Sequence, residues 1–213
     1  GTGDDGDREI AIVGAACTYP GARNLAEFWA NVVTKVDAVG DPPEDWDPEG
    51  CFDPDTGEAE AYGKRGGYLG DLAAFEPLTF GIMPRAVDGG EPGQYLALAT
   101  AHDALADAGY LDRPFDRQRT EVILGHGTFL NRGSVTALQH SQLIAQTLRI
   151  LRELHPEHTA DELRALKAGL KANLPPFSTD TAPALVPNMV AGRIANRLDL
   201  IGPNFTVDAA CAS

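Results

Sequence analysis

Phe205-Thr206-Val207 is a short β-branched run that reads as a strand, and it gives way at once to Asp208-Ala209-Ala210-Cys211-Ala212-Ser213. So many small residues in a row are what a chain needs where a strand turns sharply into a tightly packed helix. A thiol at that junction sits at a helix N-terminus, where unpaired backbone N–H groups and the helix dipole favour thiolate over thiol. The same N–H groups can stabilise the oxyanion formed when a thiolate attacks a thioester. Cys211 is therefore the candidate acyl-accepting nucleophile. Taken locally, the alternative is a buried, inert cysteine, so the rest of the chain has to decide.

Strand and helix signals alternate along that chain. Ile10-Ala11-Ile12-Val13-Gly14 is an unbroken apolar run ending at glycine, as expected of a strand buried on both faces. Asn24 and Glu27 have capping-box spacing and open an amphipathic helix carrying Leu25, Phe28, Trp29 and Val32. A Pro, Gly, Asp and aromatic-rich stretch from 40 to 70 reads as a long ordered loop. A long helix is expected over 91–108, stopped by Gly109, with Tyr95, Leu98, His102 and Leu105 on one face. His102 on that stripe reads as a satisfied core or interface histidine.

Val122-Ile123-Leu124 centres a second apolar strand over 120–125, and a helix fits 187–198. Between them, 134–176 has a different character. Leu143, Ile144, Leu148, Leu151 and Leu154 mark one helix, and Thr159 to Glu162 is a capping box opening another with Leu163, Leu166 and Leu170 facing inward. Pro175-Pro176 closes it. This is a helical hairpin inserted among strand-bearing segments, with His140, His155 and His158 read as surface residues. The alternation predicts an α/β protein.

Composition removes several function classes. The 213 residues carry 31 acids against 17 Lys and Arg, a net charge of −14, which argues against nucleic acid because phosphate binding needs a basic face. No run approaches the roughly 18 apolar residues of a membrane span. Cys17, Cys51 and Cys211 have no paired spacing, which fits a reducing compartment, the cytoplasm, without disulfide framework or zinc site. The polar, acidic opening, 1–9, carries no secretory signal and reads as a linker or a non-native remnant.

Three motifs mislead. Gly1-Thr2-Gly3-Asp4-Asp5-Gly6 fits the dinucleotide glycine pattern but lacks a preceding strand and a following helix. Asp53, Asp55 and Gly57 hint at a calcium loop, yet Lys64 stands where a bidentate glutamate is required. Gly125-His126-Gly127-Thr128, at a strand end, fits a pocket wall or a tight turn equally well.

Several ordered motifs together resemble the N-terminal half of a β-ketoacyl synthase (ketosynthase) domain of a type I polyketide synthase, over 10–213. Ile10 to Gly21 looks like the family's opening strand and turn, Phe28-Trp29 its first helix, and Gly66-Gly67-Tyr68-Leu69 its loop. Phe80-Gly81-Ile82-Met83-Pro84-Arg85 is close to Phe-Gly-Ile-Ser-Pro-Arg, and Ala191 to Asn196 resembles the segment before the active-site strand. Val207-Asp208-Ala209-Ala210-Cys211-Ala212-Ser213 fits the nucleophile signature, the most specific of these motifs. Glu91-Pro92-Gly93-Gln94-Tyr95 departs from the usual Asp-Pro-Gln-Gln-Arg. With the long insertion and Asp-Ala-Ala-Cys, it looks closer to iterative enediyne and polyunsaturated-fatty-acid synthases.

The resemblance implies a thiolase-like five-layer αβαβα fold, of which this chain is the N-terminal half with a helical insertion near 134–176. It implies a homodimer within a multidomain polyketide synthase serving, for example, antibiotic biosynthesis. The implied enzyme is an acyltransferase, a β-ketoacyl-carrier-protein synthase performing decarboxylative Claisen condensation on an acyl group held by Cys211, whose backbone N–H is one oxyanion donor. Phosphopantetheine is carried by the partner acyl carrier protein, and no cofactor or metal is implied on this domain. The family's two catalytic histidines lie beyond Ser213. The chain is therefore expected to continue past it, and to be inactive alone. The alternatives are a thiolase-like acyltransferase, which a second downstream cysteine would mark, and a non-catalytic ketosynthase-like partner protein, which the absence of both histidines would mark.

Overall fold

The computed structural model describes residues 10–44, 63–127, 131–177, 179 and 181–213. The discounted glycine pattern at 1–6, Asp53, Asp55 and Gly57, Cys51 and Thr128 fall outside them. The chain divides into two compact units, one of Gly1–Phe75 with Ala99–Phe115, the other of Glu76–Leu98 with Asp116–Ser213.

In the first unit, helix α1 (Leu25–Thr34) starts where the Asn24 carboxamide accepts the Glu27 N–H at 2.9 Å. The expected reciprocal bond is displaced by one residue, because the Glu27 carboxylate accepts from Arg23 N–H at 3.0 Å. The helix ends at Lys35 in the left-handed region, φ 58°. Asn31 donates to the Gly21 carbonyl at 2.9 Å, tying α1 to the preceding turn. Gly40 and Gly66 form an isolated antiparallel bridge, and 45–62 of the expected loop lie outside the described residues. The C-terminal half of helix α3 (Pro92–Asp107) also belongs here, stopped at Gly109 with φ 71° as its sequence predicts.

One expectation fails in this unit. The apolar run 10–14 forms no strand, and Ile10 and Ile12 are 94% and 90% exposed. β propensity stabilises a strand only when a neighbouring strand supplies ladder partners, and none pairs with it among the described residues. The segment instead lies along α3, with Gly14 against Ala104 and Ala108 and the Ala15 N–H donating to Asp107 at 2.9 Å. Helix α1 forms as predicted, but its apolar face is uncovered, with Trp29 67% exposed.

The second unit holds the sheet. Strands β1 (Val122–Gly125) and β2 (Asn204–Val207) pair in parallel, Val122 opposite Asn204 and Gly125 opposite Val207. Because successive side chains alternate faces, Val122 and Leu124 turn to one side and Ile123, Phe205 and Val207 to the other. Helix α7 (Met189–Arg197) packs on the first side with Val190, Ala191, Ile194 and Ala195 buried, and the second side is exposed. Helix α2 (Pro84–Asp88) precedes α3, whose Gln94, Tyr95 and Leu98 are buried.

Between β1 and α7 lies the predicted insertion. Helices α4 (Arg132–Leu138) and α5 (Ile144–Leu154) are joined through a wide π turn at Gln139–Leu143, and α6 (Ala160–Ala172) returns after a short turn. The Thr159 capping box is present in both directions, with Glu162 accepting the Thr159 N–H at 2.8 Å. Ile144 and Leu163 anchor the hairpin. No helix among the described residues is long and apolar enough to cross a membrane.

Candidate active site

A parallel sheet places the carboxyl ends of its strands on one edge, where α/β proteins gather their chemistry. Here that edge receives His126 after β1 and the segment leading to Cys211 after β2, and the His126 N–H donates to the Val207 carbonyl at 3.0 Å. Beyond Val207 the backbone turns tightly. The Asp208 carboxylate accepts the Ala210 N–H at 3.0 Å, Ala210 adopts φ 51°, and the Ala209 N–H donates to Ser213 Oγ at 2.6 Å. Left-handed backbone in a residue with a Cβ is strained by about 1–2 kcal/mol, so the bonds on either side of Ala210 hold that shape.

One 3₁₀ turn, Ala210–Ala212, carries Cys211. The returning backbone of Ser213 packs directly on Gly125, where any Cβ would collide with it. Glycine at the end of β1 is thus required for the nucleophile segment to lie there. Cys211 is exposed on this turn. The Cys211 N–H has no acceptor among the described residues.

The remaining histidines are placed by the fold as follows. His126 is half-buried, its Nδ1 donating to the Gly127 carbonyl at 2.6 Å. His102 is half-buried beside Asp103. His155 lies on the surface as read from sequence, whereas His158 is half-buried. His140 is half-buried as well, its Nε2 bound to the Pro175 carbonyl at 2.7 Å and its ring near Phe177. Among the described residues no group of three or more His, Cys, Asp or Glu is arranged to hold a metal.

Sequence reasoning missed two supports of this edge. Asn188 accepts the Thr206 N–H at 2.9 Å and so fixes the middle of β2. Buried Gln94 accepts from Arg193 Nε and Nη2 at 3.3 and 3.1 Å and donates to the Pro183 carbonyl at 3.2 Å. Arg193 also lies over the Tyr95 ring at 4.8 Å, and Tyr95 donates to the Ala86 carbonyl at 2.9 Å. The signal was present in the two family-like segments that hold Gln94 and Arg193, but their pairing across 99 residues is not a sequence pattern.

The model of the β-ketoacyl synthase N-terminal domain matches residues 7–213. The chain belongs to the β-ketoacyl synthase family. A polyunsaturated fatty acid synthase component from Thraustochytrium sp. is 29% identical to this ketosynthase chain over 210 residues, 97% of the chain and 7% of that protein. Polyketide synthase GfsB of Streptomyces halstedii is 30% identical over 211 residues, 97% of the chain and 3% of that protein. Among solved structures, the oxazolomycin ketosynthase domain OzmH KS7 of Streptomyces albus JA3453 superposes with a TM-score of 0.64 at 28% identity, over 96% of this chain and 30% of that one. A ketosynthase from module 6 of the bacillaene synthase of Bacillus subtilis 168 gives 0.60 at 27% identity, over 95% and 27%.

The ketosynthase chain thus spans less than a third of the solved structures it matches and a small fraction of the multidomain synthases. Its class is α/β with a thiolase-like fold, N-terminal ketosynthase portion. Of that layered fold, two strands and the helix covering one face are assembled among the described residues.

Proposed function

We propose that this chain contributes the nucleophile of a condensing enzyme that extends an acyl chain by decarboxylative Claisen condensation in polyketide biosynthesis. Cys211 attacks the thioester of an acyl group on an acyl carrier protein. A carbon–sulfur bond forms to Cys211, the carrier's thioester bond breaks, and the carrier's phosphopantetheine thiol leaves with the proton. A malonyl-type extender on a carrier then loses carbon dioxide. The resulting carbanion attacks the acyl-cysteine, a carbon–carbon bond forms, the acyl–sulfur bond breaks, and Cys211 leaves as the thiolate, which takes a proton from solvent.

The observation that carries this reading is the position of Cys211. It lies within the nucleophile signature and follows the carboxyl end of β2, and its amide is without an acceptor among the described residues and so available to a developing oxyanion. The working enzyme is a cytoplasmic homodimer within a multidomain synthase, and the acyl carrier protein is its partner.

The test uses the full-length synthase. Wild type incubated with acyl-carrier thioester gains the acyl mass on the peptide containing Cys211, and the Cys211→Ala protein gains none. Acyl loading that persists unchanged at another residue refutes the proposal.

A further inference from the structure

A second site lies away from the sheet edge, in a cavity of about 340 Å³ between α2, the start of α4 and the segment that closes the insertion. Its floor is Thr136 and Thr181, both 3% exposed, and Pro175-Pro176 forms a stiff wall. Two arginines from separate elements line it: Arg85 of α2 and Arg132, the first residue of α4. Neither guanidinium has a hydrogen bond or an ion pair among the described residues. In a chain with 31 acids and 17 Lys and Arg, two cations facing one recess beside the single carboxylate of Asp88, and in no ion pair among the described residues, form a local electropositive hole.

The floor sharpens the argument. The Thr136 hydroxyl donates to the Arg132 carbonyl at 2.9 Å and the Thr181 hydroxyl to the Pro176 carbonyl at 3.3 Å, so their protons are committed to the protein. Recognition of a ligand therefore falls to the guanidinium forks, whose planar donors match phosphate oxygens two at a time. Asp88 lines the same recess and opposes any anion there. A volume near the lower end of small-molecule sites, about 300–1,000 Å³, admits a compact ligand and no macromolecule.

We propose that this recess is a binding site for a small phosphorylated molecule, held by Arg85 and Arg132 and tempered by Asp88. Because both ends of the insertion contribute, Arg132 and Thr136 at one and Pro175-Pro176 at the other, an occupied site fastens the insertion to α2.

Titration calorimetry on the full-length synthase tests this at constant ionic strength, with inorganic phosphate and glycerol 3-phosphate as separate probes. A tighter response to the ester identifies an organic phosphate as the ligand class, and equal responses identify the free anion. R85Q and R132Q are each expected to weaken the saturable binding at least tenfold, and D88N to tighten it at least threefold. Both arginines are exposed and their guanidiniums have no partner among the described residues, so their replacement leaves folding intact. D88N adds an independent readout of opposite sign. No saturable binding, the same affinity in the R85Q/R132Q protein as in wild type, or no gain in D88N overturns the assignment.

Discussion

Replacing Gln94 by leucine isolates the polar link that holds α3 to α7 in the sheet-bearing unit. Leucine keeps the volume but removes an acceptor and a donor. Arg193 loses both of its bonds to Gln94 Oε1, at 3.1 and 3.3 Å, and the Pro183 carbonyl loses its 3.2 Å donor. A hydrogen bond to a charged group contributes about 1.5–3 kcal/mol and a neutral one about 1 kcal/mol. The lengths here favour the lower values. Arg193 keeps its place over the Tyr95 ring, worth about 0.5–1 kcal/mol in a half-exposed setting, and added apolar burial returns about 1 kcal/mol. The expected loss is about 3 kcal/mol, or roughly 6–12 °C in Tm for a chain of this size. Urea unfolding should show a lower midpoint with an unchanged slope. A cycle with Arg193→Met should give a coupling of about 1–2 kcal/mol. A loss below about 0.5 kcal/mol, or an Arg193→Met effect identical with and without Gln94, would refute the reasoning.

Gly125→Ala drives a methyl group into the Ser213 backbone, so the 208–213 turn must move. Alkylation of Cys211 by iodoacetamide should change severalfold while Cys17 reacts as before, and equal rates at both would exclude the contact. Leu98→Ala empties a fully buried position and should destabilise by about 2–5 kcal/mol in denaturant titration. The α5–α6 turn should be sensitive to acid. The Glu157 carboxyl is held below its ordinary 4.5 by its own backbone N–H and then by His155, and Glu162 by the Thr159 N–H and then its hydroxyl. Since the folded values are depressed, the stabilisation is present above 4.5 and is lost as pH falls beneath it. Amide exchange in 155–165 should therefore rise below that pH, and Glu162→Gln should flatten the response.

Local chemistry made much of this legible. The Thr159 capping box, the Gly109 stop, the inserted hairpin and the β-branched strands each announce themselves within a few residues, because backbone bonds are satisfied by near neighbours. Ile10-Ala11-Ile12-Val13 misled, since a strand is defined by a partner that the run itself cannot name. The apolar stripe of α1 gave the helix correctly. Placement of Cys211 on the sheet's carboxyl edge was readable from the strand before it, whereas its exposure depends on what packs against it. Gln94 with Arg193 and Arg85 with Arg132 come from distant segments, and no periodicity couples them.

The pairing of Ile123 with Phe205 has a consequence for how the protein is made. At about 5–20 residues per second of synthesis, the roughly 80 residues that separate these partners delay their meeting by about 4–16 s. Through that interval the nascent β1 stands without its mate, while the inserted hairpin, closed by nearby contacts, can assemble within microseconds of leaving the ribosome. The nucleophile loop is then among the last parts of this unit to take shape, seated only when the late strand finds the early one.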